Sequence, residues 1–174
     1  MSLSRYLFVL SLLFFSQNLC AAPSIYTIEG KFEAVFPSQP KLEGEYNTEN
    51  SQTRLYYSID ELNKTFYYAG ISSLIGMGKT DDVINIFIKG FIASKAKTMN
   101  GSVSFQDIKK QGSDYQAKFT IELKLDGISM RSQSTVIYHN GYLYQWSVLS
   151  DVNSIGISNS SNVFNNYIKY FRVK

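Results

Sequence analysis

The 174-residue chain carries 17 Lys and Arg against 14 Asp and Glu, a net charge of +3, with the cations scattered along its length. That distribution excludes the concentrated basic stripe of a nucleic-acid binder. One histidine and one cysteine exclude the usual thiolate and imidazole zinc cages, and a disulfide framework as well.

Residues 1–22, MSLSRYLFVLSLLFFSQNLCAA, place one early cation, Arg5, before an apolar run from Tyr6 to Phe15 and a polar stretch ending in small residues. This is the plan of a secretory signal peptide, and its apolar run is shorter than the roughly 20 residues that span a bilayer. Cleavage after Ala22 leaves Pro23 first, so cleavage after Ala21 competes. Either cut removes Cys20. A lipid on Cys20 would tether the protein to a membrane, but the preceding Gln17-Asn18-Leu19 lacks the small residue that such signals place before the cysteine. The expected product is a single periplasmic or secreted domain over residues 23–174, without cysteine, held together by its core alone.

In chain order, IYTIEGKFEAVFP alternates apolar residues at Ile28, Phe32, Ala34 and Phe36 and predicts one strand ended by Pro37. SQPKLEGEYNTENSQ is polar and predicts a loop or short edge connection. TRLYYSID and KTFYYAGI predict a strand pair. From Asp81 the period changes. Val83, Ile84, Phe87, Ile88, Phe91, Ile92 and Ala96 recur at helical spacing and predict a helix over 81–98, capped by Thr80 or Asp81 and ended by Asn100-Gly101. Four strands follow, separated by Gly112-Ser113, Asp126-Gly127 and Asn140-Gly141; the last two dipeptides predict tight hairpins. DVNSIGISNSSN predicts a loop and VFNNYIKYF a closing helix. The fold class is α+β: an antiparallel sheet of about five to seven strands with two main helices packed on it.

Ser73-x-x-x-x-Gly78-Lys79-Thr80 resembles a phosphate-binding loop with Ser in place of the first Gly, set between a strand and a helix. Asp81 and Asp82 at the helix start repel an anion, and antiparallel hairpins replace the required parallel crossover, so no nucleotide partner is expected. His139 lies beside a turn, and no G-x-S-x-G elbow accompanies it. The carboxylate pairs Asp60 with Glu61, Asp107 with Asp114, and Glu122 with Asp126 could serve a hydrolase, yet they fall at strand ends and turns. No cofactor is expected.

Aromatic residues concentrate in the strands. Alternation puts Tyr142, Tyr144, Trp146 and Val148 on one sheet face, mostly beneath a helix, and forces Tyr56-Tyr57 and Tyr67-Tyr68 to send one ring of each pair to either face. Tyr56, Tyr67, Tyr144 and Trp146 are the candidate contacts for a partner or ligand.

KFEAVFPSQPKL, NGYLYQWSV and VFNNYIKYFRV together resemble the opening strand and turn, the late hairpin and the terminal helix of the PsbP-like and DcrB-like group of small α/β sandwich proteins. Tyr170 departs from the small residue often found there. The resemblance implies a non-catalytic accessory, since understood members serve as photosystem assembly factors, envelope proteins and chaperones of effector segments. The function expected is an exported accessory protein of the bacterial envelope that binds a protein partner in an adaptor, chaperone-like or immunity role. The alternatives are a carrier of a small apolar ligand or lipid between helix 81–98 and the sheet, lined by Phe87, Phe91, Tyr144 or Trp146, and a carboxylate-based hydrolase.

Overall fold

Strands form wherever apolar residues alternate, and a computed structural model, which describes residues 23–78, 80–153 and 160–174, shows how they assemble. One antiparallel sheet contains β3 (Lys41–Thr48), β4 (Ser51–Asp60), β5 (Thr65–Leu74), β6 (Ser102–Gln111), β7 (Asp114–Leu125), β8 (Ile128–His139) and β9 (Tyr142–Asp151). Its order is β3-β4-β5-β9-β8-β7-β6, so two meanders meet where β5 pairs with β9. Helix α1 (Asp81–Thr98) carries the chain from the first meander to the outer edge of the second. A second sheet, β1-β2-β10, is built from β1 (Ser24–Ile28), β2 (Phe32–Phe36) and β10 (Arg172–Val173).

The predicted helix has the predicted bounds. Ile84, Ile88, Ile92 and Ala96 form its buried stripe, and Asp81 and Asp82 stand in its first turn. Thr80 is the N-cap residue but makes no side-chain capping bond. Asn100 takes φ 53, and Gly101 N donates to Ala96 O at 2.9 Å, which closes the last turn. The hairpin dipeptides also act as read: Asp126-Gly127 and Asn140-Gly141 both have two positive φ values (50 and 81, 49 and 83).

Three sequence expectations need correction. Residues 25–37 form a hairpin instead of one strand, because Glu29 (φ 52) and Gly30 (φ 68) reverse the chain while the apolar alternation continues past them. Most of the segment read as a loop is β3. As an edge strand exposed on both faces it needs no apolar side, so alternation could not reveal it. The closing helix begins at Ser160 and ends at Tyr167, tightens into a 3₁₀ turn over Ile168–Tyr170, and yields to β10, which pairs with β2. We call this helix α2. Part of the polar run before it, residues 154–159, lies outside the described residues.

The large sheet separates two cores. On one face Tyr67, Ala69, Ile71, Tyr144, Trp146 and Val148 pack against Phe32, Ala34, Val35 and Phe36 of the small sheet and Val163 and Phe164 of α2. On the other, α1 packs against Tyr115, Ala117, Phe119 and Ile121 of β7, Val136 and Tyr138 of β8, and Leu143 of β9. Trp146 joins the layers of the first core: its indole Nε1 donates to Val35 O at 3.0 Å, and its ring stacks on Phe164, 5.6 Å between centroids.

Two glycines in and beside α1 give opposite expectations. A Cβ at Gly101 would fall 2.6 Å from Ile121 Cγ2 and 2.7 Å from the Glu122 carbonyl oxygen, which backbone cannot yield, whereas a Cβ at Gly90 meets nothing within 4 Å. Gly101→Ala is expected to destabilise by about 1–3 kcal/mol, and Gly90→Ala to stabilise by about 0.5–1 kcal/mol; urea unfolding midpoints check both.

Candidate functional site

The residues singled out from sequence divide sharply by burial. Tyr67 (2% exposed), Tyr144 (4%) and Trp146 (0%) are part of the core beneath the small sheet and α2, and present no surface. Tyr56 lies on the same face, half-buried, with its hydroxyl donating to Glu29 Oε1 at 2.5 Å. The alternation argument is sound in form: Tyr57 pairs with Tyr68, and Tyr56 with Ala69, so each tyrosine pair does split between faces. The rings that reach the open side are therefore Tyr57 and Tyr68. The pocket imagined between α1 and the sheet cannot be lined as expected, because Phe87 and Phe91 pack with the α1 core while Tyr144 and Trp146 belong to the opposite face.

That open side is the first candidate surface. Leu55, Tyr57, Phe66 and Tyr68 are half-buried, Ile59 is 39% and Tyr46 51% exposed, and among the described residues none of them belongs to either core. Register places Leu55 opposite Gly70, Tyr57 opposite Tyr68 and Ile59 opposite Phe66, making a continuous apolar strip across β4 and β5. Helix α1 lies over the other half of this face, so the strip begins where the helix stops.

Lys95 marks that border. It continues the Phe87-Phe91 flank of α1 at i+4 spacing and turns its amine down onto β9, where Nζ donates to Ser147 Oγ at 3.0 Å. Gln145 Nε2 donates to the same oxygen at 2.8 Å, so both lone pairs are taken and the Ser147 proton goes to Ser134 Oγ, 2.8 Å away. The amine lies 5.8 Å from the centroid of the Phe119 ring and forms no salt bridge among the described residues. Burial pushes its pKa down to about 7. Sequence periodicity gave no signal for this residue, since a lysine at the edge of an amphipathic helix ordinarily points to water.

The second candidate surface is a polar groove of about 320 Å³ on the opposite face, where the β1–β2 turn overhangs β3, β4 and β5. Glu29 holds it together. Besides Tyr56, it receives Arg54 Nη1 at 3.2 Å, and Arg54 Nε reaches Glu45 at 2.9 Å. Lys31 Nζ sits 4.9 Å from the centroid of the Tyr142 ring. Beyond this cluster Asn47, Gln52, Ser73, Tyr142 and His139 stand in register across five strands. Two carboxylates balance two cations, so the groove offers hydrogen bonds and no net charge. Sequence reasoning missed it because its walls come from a turn and an edge strand that were not recognised.

Most of the catalytic candidates are engaged structurally, while Glu61 and Asp126 are exposed. His139 Nδ1 meets Asp114 Oδ1 at 2.8 Å and Asn140 Nδ2 donates to Nε2 at 2.8 Å, so both ring nitrogens are occupied. Ser73 stands two strands from His139 in register, about 10 Å at the usual strand spacing and too far for a shared proton. Glu122 pairs with Arg131 at 2.7 Å, Asp107 with Lys109 at 2.7 Å, and Asp60 accepts two bonds from Asn63. In the former phosphate-loop candidate, Asp81 binds Lys110 at 2.5 Å; Lys79 lies outside the described residues.

Glu29 and Tyr56 set a pH dependence for the small sheet's anchorage. Burial pushes the Tyr56 hydroxyl up to about 12, with the Glu29 hydrogen bond adding to it. For Glu29 burial acts upward, but the bonds from Tyr56 and Arg54 and the charges of Arg54 and Lys31 outweigh it and hold the carboxyl below its ordinary 4.5. A depressed carboxyl stabilises fully above its unfolded pKa and loses that contribution as pH falls through its folded value. The urea midpoint is expected to drop below about pH 4.5 in the native protein, and to drop less in Glu29→Gln.

No family model and no curated protein matches this chain. Among solved structures it is similar to the cyanobacterial PsbP (CyanoP) of Synechocystis sp. PCC 6803, with TM-score 0.60 and 10% identity over 91% of this chain and 96% of that one. A protein of unknown function from Pseudomonas aeruginosa, PA94, described as a putative regulator, aligns with TM-score 0.43 and 6% identity over 83% of this chain and 88% of that one. The resemblance drawn from the opening strand, the late hairpin and the terminal segment is supported on its PsbP side: the chain has a PsbP-like fold.

Proposed function

We propose that this is an exported, non-catalytic accessory protein of the bacterial envelope that binds a protein partner through the open half of its large sheet. The observation that carries the reading is the Leu55-Tyr57-Ile59-Phe66-Tyr68 strip, which lies outside both cores. Large aromatic side chains held half-buried on rigid strands give contact area at small entropic cost. Export rests on the N-terminal leader, and the accessory role on the PsbP-like resemblance. No helix among the described residues is long and apolar enough to cross a membrane.

The face is preferred over the sheet edges. Edge strand β3 carries a bulge between Leu42 and Gly44, and edge strand β6 one between Val103 and Phe105. Bulges and charged side chains, here Glu43 and Glu45 on β3 and Lys109 and Lys110 on β6, are the usual means of preventing strand addition.

Native mass spectrometry of the protein recovered from the envelope fraction of its host is expected to show a stoichiometric protein adduct. Tyr57→Ser combined with Tyr68→Ser is expected to remove the adduct while cooperative unfolding is retained. A bare chain in every preparation sinks the reading, and a small constant mass increment moves it to the ligand carrier.

A further inference from the structure

A lysine amine taken out of water with no carboxylate beside it is costly unless something else compensates. Among the described residues Lys95 is compensated by the neutral oxygen of Ser147 and the face of Phe119. Lys95 is a partly exposed residue, and Ser147 registers against Tyr68, so the amine stands one strand from the apolar strip. A serine beside a lysine is also an arrangement found in hydrolases, but Ser147 is 1% and Ser134 0% exposed, so no substrate carbonyl reaches either hydroxyl.

We propose that the open face takes a protein segment rich in aliphatic side chains, and that an Asp or Glu of that segment seats on Lys95. This deepens, and rests on, the protein-binding reading above. Charge complementarity selects the occupant: the strip supplies apolar contact across β4 and β5, and its α1 border supplies a cation that has no carboxylate partner among the described residues. The strip is a face of two paired strands, which suits a protein segment better than a lipid chain, whose tail needs a concave pocket.

The groups facing the amine define the pH response. Phe119 from β7, Ser134 from β8, and Gln145 and Ser147 from β9 do not titrate in the working range. On the β5 side stands Tyr68, whose hydroxyl pKa is raised by burial and then by Glu43 of β3. Lys41 of β3 pairs in register with Tyr57. Helix α1 itself adds Lys89 and Lys97 along its length and Asp81 and Asp82 at its far end. A carboxylate binds the protonated amine, so affinity is full below the free amine's pKa near 7 and falls as pH rises through it. Each pKa unit gained on binding is worth about a factor of ten in affinity.

The test is selection of a random-peptide phage library on the purified protein at pH 6, followed by titration of the enriched peptides at pH 6 and pH 9. The expected result is a consensus of Asp or Glu among aliphatic residues. Its peptides should bind at least tenfold more weakly to Lys95→Met, bind nearly as well to Lys95→Arg, lose affinity at pH 9, and fail on the Tyr57→Ser/Tyr68→Ser protein. Peptides that need the tyrosines but show no acidic preference, or bind Lys95→Met equally, overturn the role of Lys95 and leave the face intact. A library that enriches nothing dependent on Tyr57 and Tyr68 overturns the face and this inference together.

Discussion

The hydrogen bond from the Trp146 indole to the Val35 carbonyl fixes the arrangement of layers. An indole N–H must find an acceptor when buried, and at this position the acceptor is a backbone carbonyl of the small sheet. With its ring stacked on Phe164, the same side chain sets where α2 lies. The small sheet and α2 thereby claim one face of the large sheet. Helix α1, which connects β5 to the far edge at β6, is left with the other face and covers only its distal half. The open strip over β4 and β5 follows from that division: one face is filled by the layers that Trp146 organises, and among the described residues the other has a single helix for seven strands.

Electrostatics follows the same division. On the filled side, charges at the rim are neutralised in pairs, as in the Glu29, Arg54 and Glu45 cluster and in the contacts of Glu33 with Arg172 and Lys174. The Glu33 carboxyl is lowered from its ordinary pKa, first by the Arg172 hydrogen bond and then by that of Lys174. On the open side, Lys95 stands at the junction of helix and strip without a counter-ion among the described residues. Exposed pairs of this kind contribute little to stability individually. A desolvated single charge has a larger effect, which is why the one on the open side carries more information than the several at the rim.

How much of this was legible in the sequence depended on whether a local rule was enough. Helix α1 and the Asp126-Gly127 and Asn140-Gly141 turns were readable because hydrophobic period and positive φ are local properties. The Glu29-Gly30 reversal was hidden, since Ile28, Phe32 and Phe36 keep an even spacing through it. Strand β3 was hidden because an edge strand needs no apolar face. For the tyrosine pairs, alternation requires a split but cannot say which phase faces the core, and it is Tyr57 and Tyr68, not Tyr56 and Tyr67, that reach the open side. Lys95 and the polar groove depend on which strands become neighbours. That information is non-local: β5 meets β9 only after the whole second meander has formed.

The pairing of β10 with β2 adds a kinetic constraint. Arg172 Nε meets Glu33 Oε2 at 2.6 Å across a sequence separation of 139 residues. During vectorial synthesis the β1–β2 hairpin emerges early, yet its outer strand must wait for nearly all of the intervening chain before its free edge is covered. Until then Phe32 and Phe36, fully buried in the finished molecule, have no complete layer beneath them. The nascent chain therefore spends most of its production time with an adhesive amino-terminal hairpin, and a holding factor bound there would act on the step at which this fold is most exposed to misassembly.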